Sequence, residues 1–251
     1  MASATIPRTQ LGRTGLEITR IGFGAWAIGG GDWAFSWGSQ DDDASIETIH
    51  RALDLGINWI DTAAAYGHGH SERVVARALE GLAERPLVFT KAGVLRAPDG
   101  TLVRRLERDS ILREAHGSLE RLGVDAIDLY QIHWPVPDED VEEGWSAFAE
   151  LREQGLVRHI GVSNFSVEQL RRAEQIAPFT AGLRNVQATA AAPGEQPWRS
   201  ATTFSRSTSA RLALSAGSRK MSLRPRQSFA GSASIRSRVM RPVSIPEPIG
   251  E

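Results

Sequence analysis

Two kinds of apolar pattern alternate along the first 183 residues of the chain. INWID, PLVFTK, AIDLYQIH and VRHIGVSN are short, continuous apolar runs rich in β-branched and aromatic residues, the signature of buried strands. Between them, SIETIHRALDLG, SERVVARALEGL, DSILREAHGSLERLG, VEEGWSAFAELREQG and SVEQLRRAEQI repeat apolar residues every three or four positions, which predicts helices. The flanks agree. The triplet Asp41, Asp42 and Asp43 complements the positive N-terminus of the first helix and Gly56 ends it. Asp109 is read as an N-cap, Gly123 as a stop, and Ser166 and Glu168 stand near the start of the fifth helix. Ahead of these units, TQLGRTGLEITR reads as a hairpin turning between Gly12 and Gly15, and IGFGAWAIGG as a short strand running into a glycine-rich loop. Five strand–helix units fill residues 21–176 at roughly 31 residues each, which argues for βαβ units and a parallel sheet. A doubly wound open sheet and a closed (β/α)8 barrel both satisfy that pattern.

The polar residues at the strand ends favour the barrel. Asp61, Lys91, His133 and the pair Ser163 and Asn164 each follow an apolar run, and Tyr66 follows Asp61 in NWIDTAAAYG. Reactive residues drawn from the C-terminal ends of several strands are the habit of α/β barrels. The glycines of IGFGAW and AIGGGDW lack the GxGxxG spacing of an open-sheet dinucleotide site. Singly, each residue has a structural explanation: a solvated lysine, a helix-capping aspartate, a packing tyrosine, a hydrogen-bonding histidine. Together at one barrel mouth they suit carbonyl reduction, in which negative charge grows on oxygen while a proton arrives. Tyr66 would be the general acid and Lys91 the ammonium that lowers its pKa. Asp61 would hold Lys91 charged, and His133 would orient the carbonyl.

LGRTGLEITRIGFGAW, GINWIDTAAAYGHGHSE, VFTKAG, DLYQIHWP and GVSNFSVEQL resemble the aldo-keto reductase family, particularly its bacterial members, over residues 8–187. The resemblance implies a (β/α)8 TIM barrel that reduces aldehydes and ketones with NADPH and uses no metal. It implies the catalytic roles just given to Asp61, Tyr66, Lys91 and His133. It also implies that Ser163, Asn164 and Gln187 hold the nicotinamide carboxamide and that Trp26 and Trp134 line the carbonyl pocket.

Composition divides the chain near residue 183. Residues 184–251 hold ten arginines and one lysine against three acids, a net charge of +8, while the preceding 183 residues carry -9; the whole chain stands at -1. Twelve of the 22 serines lie in those last 68 residues. Three more units of about 31 residues would need about 93, so the barrel is expected to be incomplete, with five to six units. The only tyrosines are Tyr66 and Tyr130, so no tyrosine follows that could stack on nicotinamide, and no phosphate-gripping stretch can be matched. A Ser/Arg/Ala-rich segment buries too little apolar surface to offset its ordering entropy, so 184–251 is expected to be disordered or foreign to the fold. A frameshift in a GC-rich gene is the favoured explanation, and a truncated member with a new tail the other.

The rest of the composition narrows the function classes. Without cysteine there is no disulfide or thiolate chemistry, which fits a reducing cytoplasm. The N-terminal MASATIPRTQLGRTG has no apolar core of a secretory signal, no run of apolar residues is long enough to span a membrane, and the near-neutral charge gives no general attraction to nucleic acid. The partner expected is a small-molecule carbonyl substrate. Two alternatives are carried forward: a catalytically inactive relative such as the channel β subunits of the same family, and nucleic-acid binding through the basic tail.

Overall fold

A computed structural model of the chain describes residues 6–182, apart from residues 32, 34 and 180 and the side chains of 181 and 182. Strands β1 (Arg8–Gln10) and β2 (Glu17–Thr19) form the expected antiparallel hairpin. Its turn is closed by Thr14, whose hydroxyl donates to the Leu11 carbonyl at 2.6 Å and accepts from the Leu16 N–H at 3.0 Å. Then come β3 (Phe23–Gly24), α1 (Asp42–Asp54), β4 (Trp59–Asp61), α2 (His70–Leu79) and β5 (Leu87–Ala92). A second hairpin, β6 (Val94–Arg96) and β7 (Leu102–Arg104), precedes α3 (Arg108–Leu122), β8 (Ile127–Ile132), α4 (Val141–Glu153), β9 (Val157–Val162), α5 (Val167–Ile176) and β10 (Ala181–Gly182).

Six strands make one parallel sheet in the order β3-β4-β5-β8-β9-β10, which is their order in the chain. A doubly wound sheet reverses its winding at a switch point, and this one never does. Successive helices therefore lie on one side, α1 against α2, α2 against α3, α3 against α4 and α4 against α5. Helices on one face and strands in chain order are the arrangement of a barrel, whose other sheet face lines the interior.

Alternation along the strands sorts the core into layers. On the helix side, Val88 packs with Ile49, Ile60, Val74, Val75 and Ala78, while Tyr130, Ile132 and Ile160 pack with Trp145, Phe148 and Leu151. On the inner side, Phe89 and Leu129 pack with Leu11 and Ile18, so the first hairpin covers the N-terminal end of the strands. It is tied there by Asn58, whose side-chain Oδ1 accepts from the Thr19 N–H at 2.8 Å, and by the Trp59 indole N–H, which donates to the Thr19 carbonyl at 2.8 Å. The inner face continues upward with Lys91 and Gln131, two residues beyond Phe89 and Leu129.

The helix boundaries correct one expectation and sharpen others. Asp41 caps α1 by accepting from the Ala44 N–H at 2.8 Å. Asp109 is not the N-cap of α3: Glu107 holds that position and Asp109 sits in the first turn. No side chain caps that helix from its own sequence. Instead Glu143 of α4 accepts from the Arg108 N–H at 2.8 Å, a tertiary contact that local spacing does not encode. At α5, Ser166 forms a reciprocal capping box with Gln169. The β6–β7 hairpin, absent from the strand–helix reading, is closed by Asp99, whose carboxylate accepts from both the N–H and the hydroxyl of Thr101. No helix among the described residues is long and apolar enough to cross a membrane. The expected tail, residues 184–251, lies outside the described residues.

Candidate active site

The sheet's own hydrogen bonds run one residue past the strand ends and fix the backbone of the predicted site residues. Ala25 N–H donates to the Asp61 carbonyl at 2.8 Å, Thr62 N–H to Phe89 at 2.8 Å, His133 N–H to Ala92 at 2.9 Å and Ser163 N–H to Ile132 at 2.9 Å. Four strand ends are thereby locked in register. Lys91 lies on the inner face of β5, two residues above Phe89, and its side chain is buried.

An ammonium carries three N–H donors, and Lys91 has three acceptors. Its Nζ donates to Asp61 Oδ1 at 2.5 Å, to the Thr62 carbonyl at 2.8 Å and to Tyr66 Oη at 3.4 Å. Burial alone would push the lysine down, but the Asp61 carboxylate and the Tyr66 oxygen outweigh it and hold its pKa above the ordinary 10.5. The second oxygen of Asp61 accepts from Gln131 Nε2 at 3.5 Å.

Tyr66 is set by the loop after β4. Its N–H donates to the Ala63 carbonyl at 3.0 Å and its carbonyl accepts from the Ser71 N–H at 3.2 Å. The next residue, Gly67, has φ of 59°, and a Cβ there would overlap the Gly29 carbonyl oxygen. That close approach holds the tyrosine's loop against the loop that follows β3. The expectation that Lys91 lowers the phenol's pKa is met only in part. Desolvation raises it more than the ammonium lowers it, and the net value lies above 10.0. Lys91 donates to the phenolic oxygen, so the O–H of Tyr66 remains available to a third group.

His133 stands edge-on to Tyr66, with ring centroids 5.7 Å apart. Burial, then Lys91 and Arg104, push its pKa well below 6.5, so the imidazole is neutral. Its Nδ1 is buried and has no partner among the described residues. Trp26 stacks on Tyr66 at 5.9 Å with the rings 7° from parallel, and 41% of it is exposed. Trp134 packs in the same small cluster as Tyr66, Ala65 and Val94, with the Arg104 guanidinium 5.7 Å above its ring. The sequence reading missed Trp33, which also lies 5.9 Å from Tyr66, and Gln131. The signal for Gln131 was present: it shares strand parity with His133. Trp33 arrives from the glycine-rich loop, where no periodicity applies.

Ser163 and Asn164 directly follow β9. Asn164, with φ of 64°, donates from Nδ2 to the His133 carbonyl at 2.8 Å and to Ser163 Oγ at 3.0 Å. The Ser163 hydroxyl accepts that bond and keeps its own proton to give, which suits a carboxamide oxygen. The residues present thus fit the amide of a nicotinamide ring. Gln187 lies outside the described residues. Among the described residues, no group of three or more His, Cys, Asp or Glu could hold a metal ion.

Comparison with known proteins gives the same grouping. The model of the "Aldo/keto reductase family" matches residues 20–186. The chain is 45% identical to the aldo-keto reductase YhdN of Bacillus subtilis over 173 residues, which are 68% of this chain and 51% of that protein. It is 38% identical to the NADH-specific methylglyoxal reductase of Escherichia coli, over 64% of this chain and 53% of the relative. Among solved structures it is similar to a glycerol dehydrogenase from Gluconobacter oxydans, with a TM-score of 0.63 and 39% identity, covering 72% of this chain and 54% of that one. The described fold is therefore part of a TIM barrel. The chain spans about half the length of the curated relatives it matches.

Proposed function

The chain belongs to the aldo/keto reductase family, and on that premise we propose that it reduces the carbonyl group of an aldehyde or ketone to an alcohol, in the cytoplasm, with NADPH as hydride donor. The observation that carries the reading is the three-way bonding of Lys91, which ties a carboxylate, a strand-end carbonyl and a phenol into one unit. A bound reduced nicotinamide supplies the hydride that adds to the carbonyl carbon. The oxygen must then gain a proton, and Tyr66 holds one whose loss burial opposes until charge develops nearby. As the O–H bond of Tyr66 breaks and a new one forms on the substrate oxygen, the phenolate left behind faces the Lys91 ammonium. That interaction is stronger in the transition state than before it, which is the condition for accelerating the step. Neutral His133 orients the carbonyl with an N–H and adds no charge. Ser163 and Asn164 hold the carboxamide, and Trp26 and Trp134 wall the carbonyl's side.

The preference for NADPH rests on the resemblance in the residues, and the Escherichia coli relative is named NADH-specific; the test therefore uses both cofactors. Loss of reduced-nicotinamide absorbance with a reactive aromatic aldehyde is compared between the protein and Tyr66→Phe. Turnover that the variant loses by about two orders of magnitude or more is expected. Equal rates, or none in either protein, would overturn the proposal.

A further inference from the structure

A pocket of about 270 Å³ opens beside the loop that carries Tyr66, and none of Asp61, Tyr66, Lys91 and His133 lines it. Its walls come from three places: Ala64, Ala65 and His68 of the loop after β4, Val94, Leu95 and Arg96 of the β6 strand, and Arg113, Glu114 and Arg121 of α3. Three arginines line it, two of them exposed, and they are not equivalent. Arg121 is committed: its Nε donates to the fully buried Glu72 at 2.6 Å and its Nη2 to Ser118 at 3.3 Å. Arg96 and Arg113 pair with no carboxylate among the described residues. Glu114 lines the same pocket; burial holds its carboxyl up to about 7, and it interacts with Arg121 and Arg113, so the pocket keeps an excess of positive charge that is greatest while Glu114 is protonated.

His68 adds a donor without adding charge. It sits at φ of 55°, and burial with the nearby Arg96 keeps its imidazole neutral. Ala64, Ala65, Val94 and Leu95 supply an apolar wall beside these groups. A ligand matching both halves carries two negative charges on oxygens at one end and a small carbon skeleton at the other. We propose that this pocket binds a small phosphate monoester, its dianionic group paired with the guanidinium groups of Arg96 and Arg113. A phosphate monoester near neutral pH carries close to two charges and three strong acceptors, and guanidinium forks match such oxygens.

The site makes no use of the reductase chemistry, so the test reads binding and not turnover. The full-length protein is titrated calorimetrically with phenyl phosphate at constant ionic strength, alongside Arg96→Ala, Arg113→Ala and, as a surface control, Arg85→Ala. One saturable site is expected, weakened about tenfold or more in each of the first two variants and unchanged in the third, with circular dichroism alike in all four. Malonate, a dianion without phosphate, is expected to bind more weakly. No saturable binding, undiminished binding in Arg96→Ala and Arg113→Ala, or malonate binding as tightly as phenyl phosphate would overturn the assignment.

Discussion

Replacing Lys91 with methionine removes three hydrogen bonds at once and leaves the Asp61 carboxylate, among the described residues, with only the long contact from Gln131. Breaking a buried pair in this way costs on the order of 3 kcal/mol or more, and loss of the poised phenol lowers kcat about 10²–10⁴-fold; denaturant titration and steady-state rates measure the two effects separately. The pH profile of kcat/KM carries a second prediction. Tyr66 donates while protonated, and its pKa lies above 10.0, so activity holds through neutral and moderately alkaline pH and falls only beyond that value. His133 is neutral well below 6.5, so no break appears near 6.5; an inflection there that disappears in His133→Asn would contradict the neutral assignment. At this scale much of the site was legible, because Asp61, Lys91 and His133 end apolar runs and strand ends meet at a barrel's mouth. Trp33 was not legible, since its place beside Tyr66 depends on how an aperiodic loop folds back.

At the scale of elements, α3 is joined to the top of β5 through Glu114. Its carboxylate accepts from the Gly93 N–H at 3.0 Å and from the Ser110 hydroxyl at 3.4 Å, and burial pushes its pKa from 4.5 up to about 7. Between those values the folded protein keeps a proton that the unfolded chain has released, so stability falls as pH rises from 4.5 to about 7. Glu114→Gln lacks that dependence. Its melting temperature is expected to gain on the parent across this interval and to hold the gain above it; parallel curves would refute the assignment. A further test concerns two loops. Gly67→Ala is strained at φ of 59° and drives a methyl group into the Gly29 carbonyl, so it displaces the tyrosine loop and cuts kcat about tenfold or more with the secondary structure intact. The five helices and the first hairpin were written in apolar spacing, glycine stops and capping residues. The start of α3 was not, because Glu143 from another helix takes up its first N–H.

For the whole molecule, the chain-order sequence of strands separates a barrel from a doubly wound sheet, a choice that periodicity alone left open. Pairing between distant strands is what decides it, and no local pattern reports that pairing. The expectations for Gln187 and for residues 184–251 lie outside the described residues. Within them, the first hairpin acts as a floor to the inner core, and Ile18→Ala, which withdraws a buried side chain from Phe89 and Leu129, is expected to cost about 2–4 kcal/mol in urea denaturation. The backbone bonds that continue past the strand ends have a consequence of another kind. The distances among the reacting groups are inherited from strand register, which is quantised: a slip by one residue would turn Lys91 to the helix side and bring Thr90 inward. Such a site has no gradual way to deteriorate. Substitutions in the surrounding loops can retune which molecule enters while the reacting groups keep their spacing, and a change that disturbs the register abolishes the arrangement outright.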